Sequence, residues 1–283
     1  MLKPPKEQIW FFDCEWVPDP KAGRLLYQLP ATMPDREVLT EMWRRNGATP
    51  EHPRPYLKPV LCRIVSIAAV LRRRRSAETK LDLLWLPRDM TRPDHCAEAS
   101  VIGTFLQAAG RLRPQLVGFN SRKADLRILA QRALVQGVRA ADFFQGAAAT
   151  GAADDIFAPD SEYHVDLKEC LSGDGFQHVP SLNEIAVLSG IPGKFACSGD
   201  DVAQFWLDSR WAEIVQYNCF DALTTYLVWL RLARLAGHLT DEHYDDEQQL
   251  LMDRLLELAE KPETEFLNRY LEEWERLQQA VAQ

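Results

Sequence analysis

Two acids stand at the end of the first apolar segment of the chain. The segment FFDCEWV (11–17) places Asp13 and Glu15 two residues apart. In a β-strand, side chains at positions i and i+2 project from the same face, about 7 Å apart along the backbone. Two like charges on a largely apolar strand are costly unless a cation neutralises them. Because short acid pairs also arise by chance, this pair indicates a site only together with further ligands elsewhere in the chain.

Further candidates occur much later in the sequence. In VQYNCFDALTTY (215–226), Tyr217 and Asp221 are four residues apart and so share one face of the predicted helix. Asp125 follows a short apolar segment and begins another helical pattern. Taken alone, Asp125 also fits a helix cap, since capping and the helix dipole favour Asp at that place. The candidate catalytic residues are therefore Asp13, Glu15, Asp125, Tyr217 and Asp221.

The elements that position these residues change type along the chain. Apolar alternation and short apolar runs predict strands at 8–13, 62–71, 81–87, 115–120 and 162–167. Helical periodicity predicts helices at 97–112, 124–136, from Ser181, near 200–208, and at 211–236. The expected fold is α/β, a mixed five-stranded sheet flanked by helices. Arg72 to Arg75 fall in the predicted turn between the second and third strands, where a charge run is usually solvated.

Two stretches depart from this pattern. Residues 18–59 contain 8 of the 17 prolines and little periodicity, so we expect a long connection between the first two strands. The tail from Thr240 predicts two acidic helices broken at Lys261-Pro262, the second with Phe266, Tyr270 and Trp274 on one face. We expect residues 1–236 to form one domain and residues 237–283 a helical C-terminal extension packed on it.

Composition limits the possible classes of protein. The chain has 283 residues, 46% of them hydrophobic, and a net charge of −8. The acidity is local: residues 237–283 carry 13 acids and four bases, which leaves 28 acids and 29 bases for the rest. A nucleic-acid partner is therefore not excluded by charge. No long apolar run or leader is visible, so we expect a cytoplasmic protein without a membrane partner. The six cysteines lack zinc-finger spacing.

The candidate residues match a known arrangement. Asp13-x-Glu15, then Asp125 after a strand, then Tyr217-x-x-x-Asp221 on a late helix resemble the three motifs of the DEDD family of 3′-5′ exonucleases. Tyr217, in place of a histidine, is typical of the tyrosine subgroup (DEDDy). The resemblance covers roughly residues 8–236 and is closest to stand-alone relatives of the exonuclease domain of family B DNA polymerases. It extends through HVDLKECLSG (164–173), SLNEIAVLSGIPGK (181–194) and YNCFDALTTYLVWLR (217–231). It implies a ribonuclease H-like fold.

The resemblance also implies roles for the candidate residues. Two divalent ions, Mg²⁺ or Mn²⁺, would promote phosphodiester hydrolysis. Asp13 would bridge both ions, Glu15 and Asp221 would complete the first site, and Asp125 would hold the second, partly through water. Tyr217 would orient the attacking water. Independently of the resemblance, these hard cations prefer the carboxylate oxygens that the four acids offer.

Substrate contacts are expected at three further residues. Asn120 falls where family B exonucleases often contact the substrate strand, although a turn residue at a strand end is also possible there. Lys194 falls where those enzymes place a lysine near the scissile phosphate, with a solvated loop lysine as the alternative. The aromatic residue usual before the third acid is replaced by Ala124. Phe119 or Trp16 would then stack on a base, unless both belong to the core.

The sequence therefore predicts a metal-dependent 3′-5′ exonuclease acting on the 3′ ends of single-stranded nucleic acid, with DNA favoured over RNA. An exoribonuclease that trims RNA 3′ ends would have the same catalytic centre. A binding module without catalysis is a second alternative, which the presence of all four acids and the tyrosine disfavours. A separate polymerase or a DNA-repair protein is the expected protein partner.

Overall fold

A five-stranded sheet lies at the centre of the protein, with the strand order β3-β2-β1-β4-β5. In the computed structural model, which describes residues 2–76, 78–145, 155–172, 179–195 and 199–282, β1 pairs antiparallel with β2, and β2 with β3. On the other side, β1, β4 and β5 run parallel. The predicted mixed five-stranded α/β fold is confirmed. The strands are Gln8–Pro18 (β1), Cys62–Arg75 (β2), Glu78–Leu86 (β3), Gln115–Gly118 (β4) and His164–Asp166 (β5).

Helices cover both faces of the sheet. Successive side chains of β1 point to opposite faces of the sheet, which explains this arrangement. Ile9 and Phe11 face one apolar cluster, and Trp10 and Phe12 face another. The described helices are Pro20–Tyr27 (α1), Asp35–Arg45 (α2), Glu98–Leu112 (α3), Asp125–Gln136 (α4), Ala141–Gln145 (α5), Leu167–Ser172 (α6), Leu182–Leu188 (α7), Gly199–Leu207 (α8), Trp211–Leu235 (α9), Asp241–Ala259 (α10) and Leu267–Val281 (α11). None of them is long and apolar enough to cross a membrane.

The proline-rich stretch 18–59 connects β1 to β2, as expected, but it contains two helices that its weak periodicity did not indicate. Asp19 caps α1 by accepting a hydrogen bond from the Lys21 amide over 3.0 Å, and Pro20 occupies the first helical position. Proline is favoured there, because its fixed φ suits a helix and its missing N–H would be unpaired anyway. Pro34 likewise precedes α2. The prolines in this stretch thus begin helices as well as interrupt them.

The arginine run is also more structured than its charge predicts. β2 continues through all four arginines, and Arg72 is buried rather than solvated. Its guanidinium donates to both carboxylate oxygens of Glu247 on α10, over 2.7 and 2.5 Å. The Tyr226 hydroxyl donates to the same carboxylate over 3.1 Å. The solvated interpretation is wrong for Arg72 because a carboxylate 175 residues away neutralises it.

The two C-terminal helices pack on the central core. Tyr270 and Trp274 of α11 are buried in the same apolar cluster as Phe11 of β1 and Trp229 of α9. The acids of this segment lie mainly on its outer surface, while its apolar stripe faces inward. The helix break at Lys261-Pro262 is present, as a short 3₁₀ turn over Pro262–Thr264.

Candidate active site

Three acids meet where the carboxyl half of β1 faces the middle of α9. Asp13 and Glu15 lie on one face of β1, opposite Ala68 and Ser66 of β2, and α9 packs over this face. Asp221 projects from α9 toward them. One carboxylate oxygen of each residue lies within 4.8 Å of one oxygen of each of the other two. We call Asp13, Glu15 and Asp221 the acid triad.

The acid triad carries an electrostatic cost. Burial, followed by the negative charges of Asp125, Glu15 and Asp221, raises the pKa of Asp13 well above its ordinary value. Burial also raises the pKa of Asp221 to about 6. Among the described residues, no Lys or Arg forms an ion pair with the triad. An all-oxygen donor set with excess negative charge fits a hard divalent cation, which would neutralise the repulsion.

Asp125 lies beside the acid triad but is not part of it. It is the first residue of α4, and its Oδ1 accepts a hydrogen bond from the Cys14 amide over 3.0 Å. This bond holds the carboxylate against β1, and the charge of Asp125 is the second cause of the raised pKa of Asp13. Burial raises the pKa of Asp125 itself to about 7. The cap position of α4 is occupied by Ala124, so the capping interpretation of Asp125 does not describe its contact with β1.

Tyr217 lies one helical turn before Asp221 and is buried beside the acids. Burial, and then the charges of Asp221 and Glu15, raise the pKa of the Tyr217 phenol far above its usual range. A hydrogen bond from this hydroxyl in turn lowers the pKa of Asp221. The phenol therefore stays protonated at neutral pH and acts as a hydrogen-bond donor rather than as a base.

Two residues that we did not single out from the sequence hold Asp13 in place. The Asn218 side-chain amide donates to Asp13 Oδ2 over 2.7 Å. Its carbonyl oxygen accepts a hydrogen bond from Ser66 Oγ over 2.8 Å. Ser66 and Asn218 are both fully buried. The only hint in the sequence was a polar residue, Asn218, within the otherwise apolar face of a long helix.

Lys194 is exposed on the loop after α7, yet its charge reaches the site. It lowers the pKa of both Glu15 and Asp221, against the larger effect of burial. The Lys194 amide donates to Asn183 Oδ1 over 2.6 Å, which fixes the loop to α7. A Cβ on Gly193 would lie 2.2 Å from that same oxygen, so only glycine allows this approach. The structure thus places the exposed positive charge of Lys194 at the edge of the acid triad.

The C-terminal helix α11 supports the Lys194 loop from behind. Thr224, on α9, donates to the Pro192 carbonyl over 2.7 Å, and its hydroxyl is 3.2 Å from the Tyr270 hydroxyl. The Phe195 ring packs against Tyr270, with ring centroids 6.0 Å apart. Phe195 also contacts Phe220, the residue before Asp221, at 4.4 Å between centroids. The loop, α9 and α11 therefore form one packed unit beside the acids.

Asn120 and Phe119 lie at the end of β4. Asn120 has a left-handed backbone (φ 64°), and its amide donates to Asp166 Oδ1 over 2.9 Å. Asp166 also accepts from the Lys168 amide over 3.0 Å, so it caps α6 and holds the Asn120 turn. Phe119 is half-buried against the core. These contacts give both residues a structural role, and substrate contact stays a prediction for each.

Comparisons with known proteins agree with this geometry. A family model described as a predicted 3′-5′ exonuclease related to the exonuclease domain of PolB matches residues 54–274. The match includes Asp125, Tyr217 and Asp221 and begins after Asp13 and Glu15. Among curated proteins, none matches the chain.

A solved structure has a similar fold. The family B DNA polymerase from the hyperthermophilic archaeon Pyrobaculum calidifontis is 16% identical in sequence, with a TM-score of 0.50. The similarity covers 81% of this chain and 25% of the polymerase chain. The chain thus corresponds to about a quarter of that polymerase's length, and at this identity the likeness concerns the fold.

Proposed function

Because the chain belongs to the family of predicted 3′-5′ exonucleases related to the exonuclease domain of PolB, we propose that it removes nucleotides one at a time from the 3′ ends of single-stranded DNA. The products are nucleoside 5′-monophosphates. The proposal rests mainly on the acid triad, in which one buried carboxylate, Glu15, and two half-buried ones, Asp13 and Asp221, lie within reach of one cation. Its position next to Tyr217 supports assignment to the tyrosine subgroup of DEDD exonucleases.

The residues fit a site for two divalent metal ions, Mg²⁺ or Mn²⁺. Asp13, Glu15 and Asp221 would hold one ion, and Asp125, whose charge acts on Asp13, would hold the second together with Asp13. Bound ions of this kind activate a water and stabilise the leaving oxygen in phosphodiester hydrolysis. The chain itself supplies the oxygen ligands and fixes the orientation of Asp13 through Asn218.

Two other side chains act on the substrate rather than hold metal. The protonated Tyr217 hydroxyl lies beside Asp221, where it can position the attacking water by hydrogen bonding. Lys194 brings an exposed positive charge to the edge of the acids, where it can bind a phosphate of the strand. Both roles are inferred from the charge and the position of the side chain, and a single substitution of Tyr217 or of Lys194 tests each one.

A labelled-strand assay tests this function. On a 5′-labelled single strand of DNA with Mg²⁺ or Mn²⁺, we expect a descending ladder, and EDTA should abolish it. A 3′-terminal phosphate should block entry, because the enzyme requires a free 3′ end. Immediate release of the labelled 5′ nucleotide, or cutting of a circular single strand, would contradict the polarity. Faster digestion of an RNA strand of the same sequence would instead identify an exoribonuclease.

The salt dependence of binding gives a second readout. Residues 1–236 have a net charge near +1, from 28 acids and 29 bases. Each phosphate contact made by Lys or Arg contributes about −0.7 to the slope of log affinity against log salt for a single strand. We therefore expect a shallow slope of about −1 to −3, since few basic contacts are available. A steep slope would indicate a basic surface that the proposal does not include.

A further inference from the structure

An aromatic cleft opens at the carboxyl end of β1, directly after the acids Asp13 and Glu15 in the strand. Its lining includes Trp16, Trp43 and Tyr56, together with Arg54, and the space before it, which is continuous with solvent, measures about 450 Å³. We call this feature the aromatic cleft. Tyr56 is 69% exposed although its ring is large and mainly apolar. Its lining is supplied by β1, α2, α8 and the segment that leads into β2.

The aromatic cleft adjoins the candidate active site through β1. Glu15 pairs with Ser66 and Trp16 pairs with Ile64, so the extra residue at this step, Val65, belongs to β2. Alternation therefore continues in β1, and Trp16 lies on the same face as Cys14. The Cys14 amide donates to Asp125 Oδ1, and the Cys14 side chain also contacts the Asp125 carboxylate. Trp16 thus follows the acids directly in sequence and lies on the Asp125 side of the strand.

Tyr56 lies on that side as well. The charge of Asp125 contributes, after burial and Cys62, to a raised pKa of the Tyr56 phenol. Trp43 is held in place by the Arg54 guanidinium, which lies 5.4 Å from the centroid of its ring. The cleft therefore presents a fixed aromatic wall, Trp43, and an exposed ring, Tyr56, within range of the Asp125 charge.

We infer that the aromatic cleft binds the base of the 3′-terminal nucleotide, with Tyr56 stacking on it. This inference rests on the proposed function, because a strand whose terminal phosphodiester lies at the acids needs a place for the adjoining base. Aromatic side chains beside a backbone-binding groove bind bases of any sequence by stacking, since every base has a π-face. The cleft is open to solvent, as a terminal base that leaves after each cleavage requires.

The cleft also gives a role to the segment that separates β1 from β2. That segment carries Trp43, Arg54 and Tyr56, and α2 anchors it on the core through Val38, Leu39 and Met42. A segment used only as a connection has no need of an exposed tyrosine within range of the Asp125 charge. The segment would instead contribute the base-binding wall of the site.

Two 5′-labelled DNA strands that differ only at the 3′-terminal nucleotide test the inference. One ends in thymidine and the other in a reduced abasic residue. For the native protein, we expect KM to be about 10- to 100-fold higher for the abasic strand, the range for loss of one stacked base. In Tyr56→Ala, KM for the thymidine strand should rise, and the ratio of KM for the abasic strand to KM for the thymidine strand should fall to about threefold or less. Tyr56→Phe, which keeps the ring, should behave like the native protein.

Control variants separate stacking from other effects. Phe144 is another exposed aromatic residue, on α5 and outside the cleft. Phe144→Ala should leave the ratio of KM values for the abasic and thymidine strands unchanged. An undiminished difference in Tyr56→Ala would overturn the inference. A difference found only with an abasic residue at the penultimate position would overturn the assignment to the terminal base.

Binding measurements test the inference even if the protein does not hydrolyse the strand. Fluorescence anisotropy of a labelled strand with Ca²⁺ reports affinity without requiring hydrolysis. We expect Tyr56→Ala to bind the thymidine strand about 10-fold or more weakly, and equal affinity would overturn the inference. If the native protein hydrolyses neither strand with Mg²⁺ or Mn²⁺, the proposed function fails, and the anisotropy comparison still decides whether Tyr56 stacks on a base.

Discussion

Asn218 holds Asp13 by a hydrogen bond of 2.7 Å from its side-chain amide to Asp13 Oδ2. The other end of Asn218 accepts a hydrogen bond from Ser66, so the amide cannot turn over without losing both contacts. A buried amide fixed at both ends gives Asp13 one orientation. Partners of this kind orient metal ligands and are often as important as the ligands themselves.

Asn218→Ala should lower the metal affinity of the acid triad without removing a metal ligand. We expect Mn²⁺ affinity and turnover to fall by about 10- to 100-fold, the usual cost of losing a partner of a metal ligand. Calorimetric titration with Mn²⁺ and the strand-degradation assay measure the two quantities. Cys219→Ala, at the neighbouring buried position on α9, is the control and should leave both near native values. Native Mn²⁺ affinity in Asn218→Ala would show that Asp13 needs no such support.

Tyr217→Phe should separate catalysis from metal binding. The phenol is protonated and beside Asp221, so its loss removes a hydrogen-bond donor but no ligand. We expect turnover to fall by about 10²- to 10⁴-fold, the range for a positioned proton-transfer group, with nearly unchanged Mn²⁺ affinity. Equal losses of rate and Mn²⁺ affinity in the same preparation would mean that Tyr217 supports the metal site instead.

Tyr270→Phe tests whether α11 acts on catalysis through the Lys194 loop. The substitution removes the hydroxyl that meets Thr224 and keeps the ring that contacts Phe195. We expect a stability loss of about 1 kcal/mol and a turnover about 3- to 10-fold lower. If the effect passes through Lys194, it should largely vanish in a Lys194→Ala background, because effects along one chain of contacts are not additive.

Substitution of a second tyrosine provides the control for the combination of Tyr270→Phe with Lys194→Ala. Tyr244→Phe removes the hydroxyl of a largely buried tyrosine on α10 instead of α11, and it should leave turnover unchanged. Additive effects of Tyr270→Phe and Lys194→Ala would show that α11 stabilises the fold without positioning the loop.

The pH dependence of stability should reveal the repulsion among the acids. In the metal-free protein, the pKa of Asp221 is raised to about 6 and that of Asp125 to about 7. The native state therefore binds more protons than the unfolded state between about pH 4 and 7, and the acids destabilise it increasingly as pH rises through this window. Asp13→Asn removes one charge and lowers the repulsion. In EDTA it should stabilise the protein more at pH 7.5 than at pH 5.5, by about 2 kcal/mol.

Comparing the variant with the native protein cancels the other titrating groups. Burial lowers the pKa of His164 to about 3, which works in the opposite direction, because His164 destabilises the fold as pH falls below its unfolded pKa. This contribution is the same in both proteins. Denaturant unfolding at the two pH values gives the difference. A stabilisation by Asp13→Asn that is larger at pH 5.5 than at pH 7.5 would contradict the assignment of charge repulsion to this site.

Local patterns of the sequence predict the sheet and the acid triad, but not the long-range contacts. Alternation in β1 is a property of neighbouring residues, so Asp13 and Glu15 could be placed on one face from sequence alone. The burial of Arg72 depends on Glu247, and the role of Asn218 depends on Ser66, 152 residues away. Such pairs have no local signal. The helices within 18–59 were missed because proline both begins and ends helices.

The rate of hydrolysis as a function of Mn²⁺ concentration, in the native protein and in Asp13→Asn, tests most directly whether the acid triad is a metal-dependent catalytic site. On a 5′-labelled single strand of DNA, the native protein should digest from the 3′ end with a rate that rises and saturates with Mn²⁺. Asp13→Asn should fold at least as stably in EDTA and show no digestion above background at any Mn²⁺ concentration. Digestion by Asp13→Asn near the native rate, or digestion by the native protein in EDTA, would contradict the assignment of catalysis to these carboxylates.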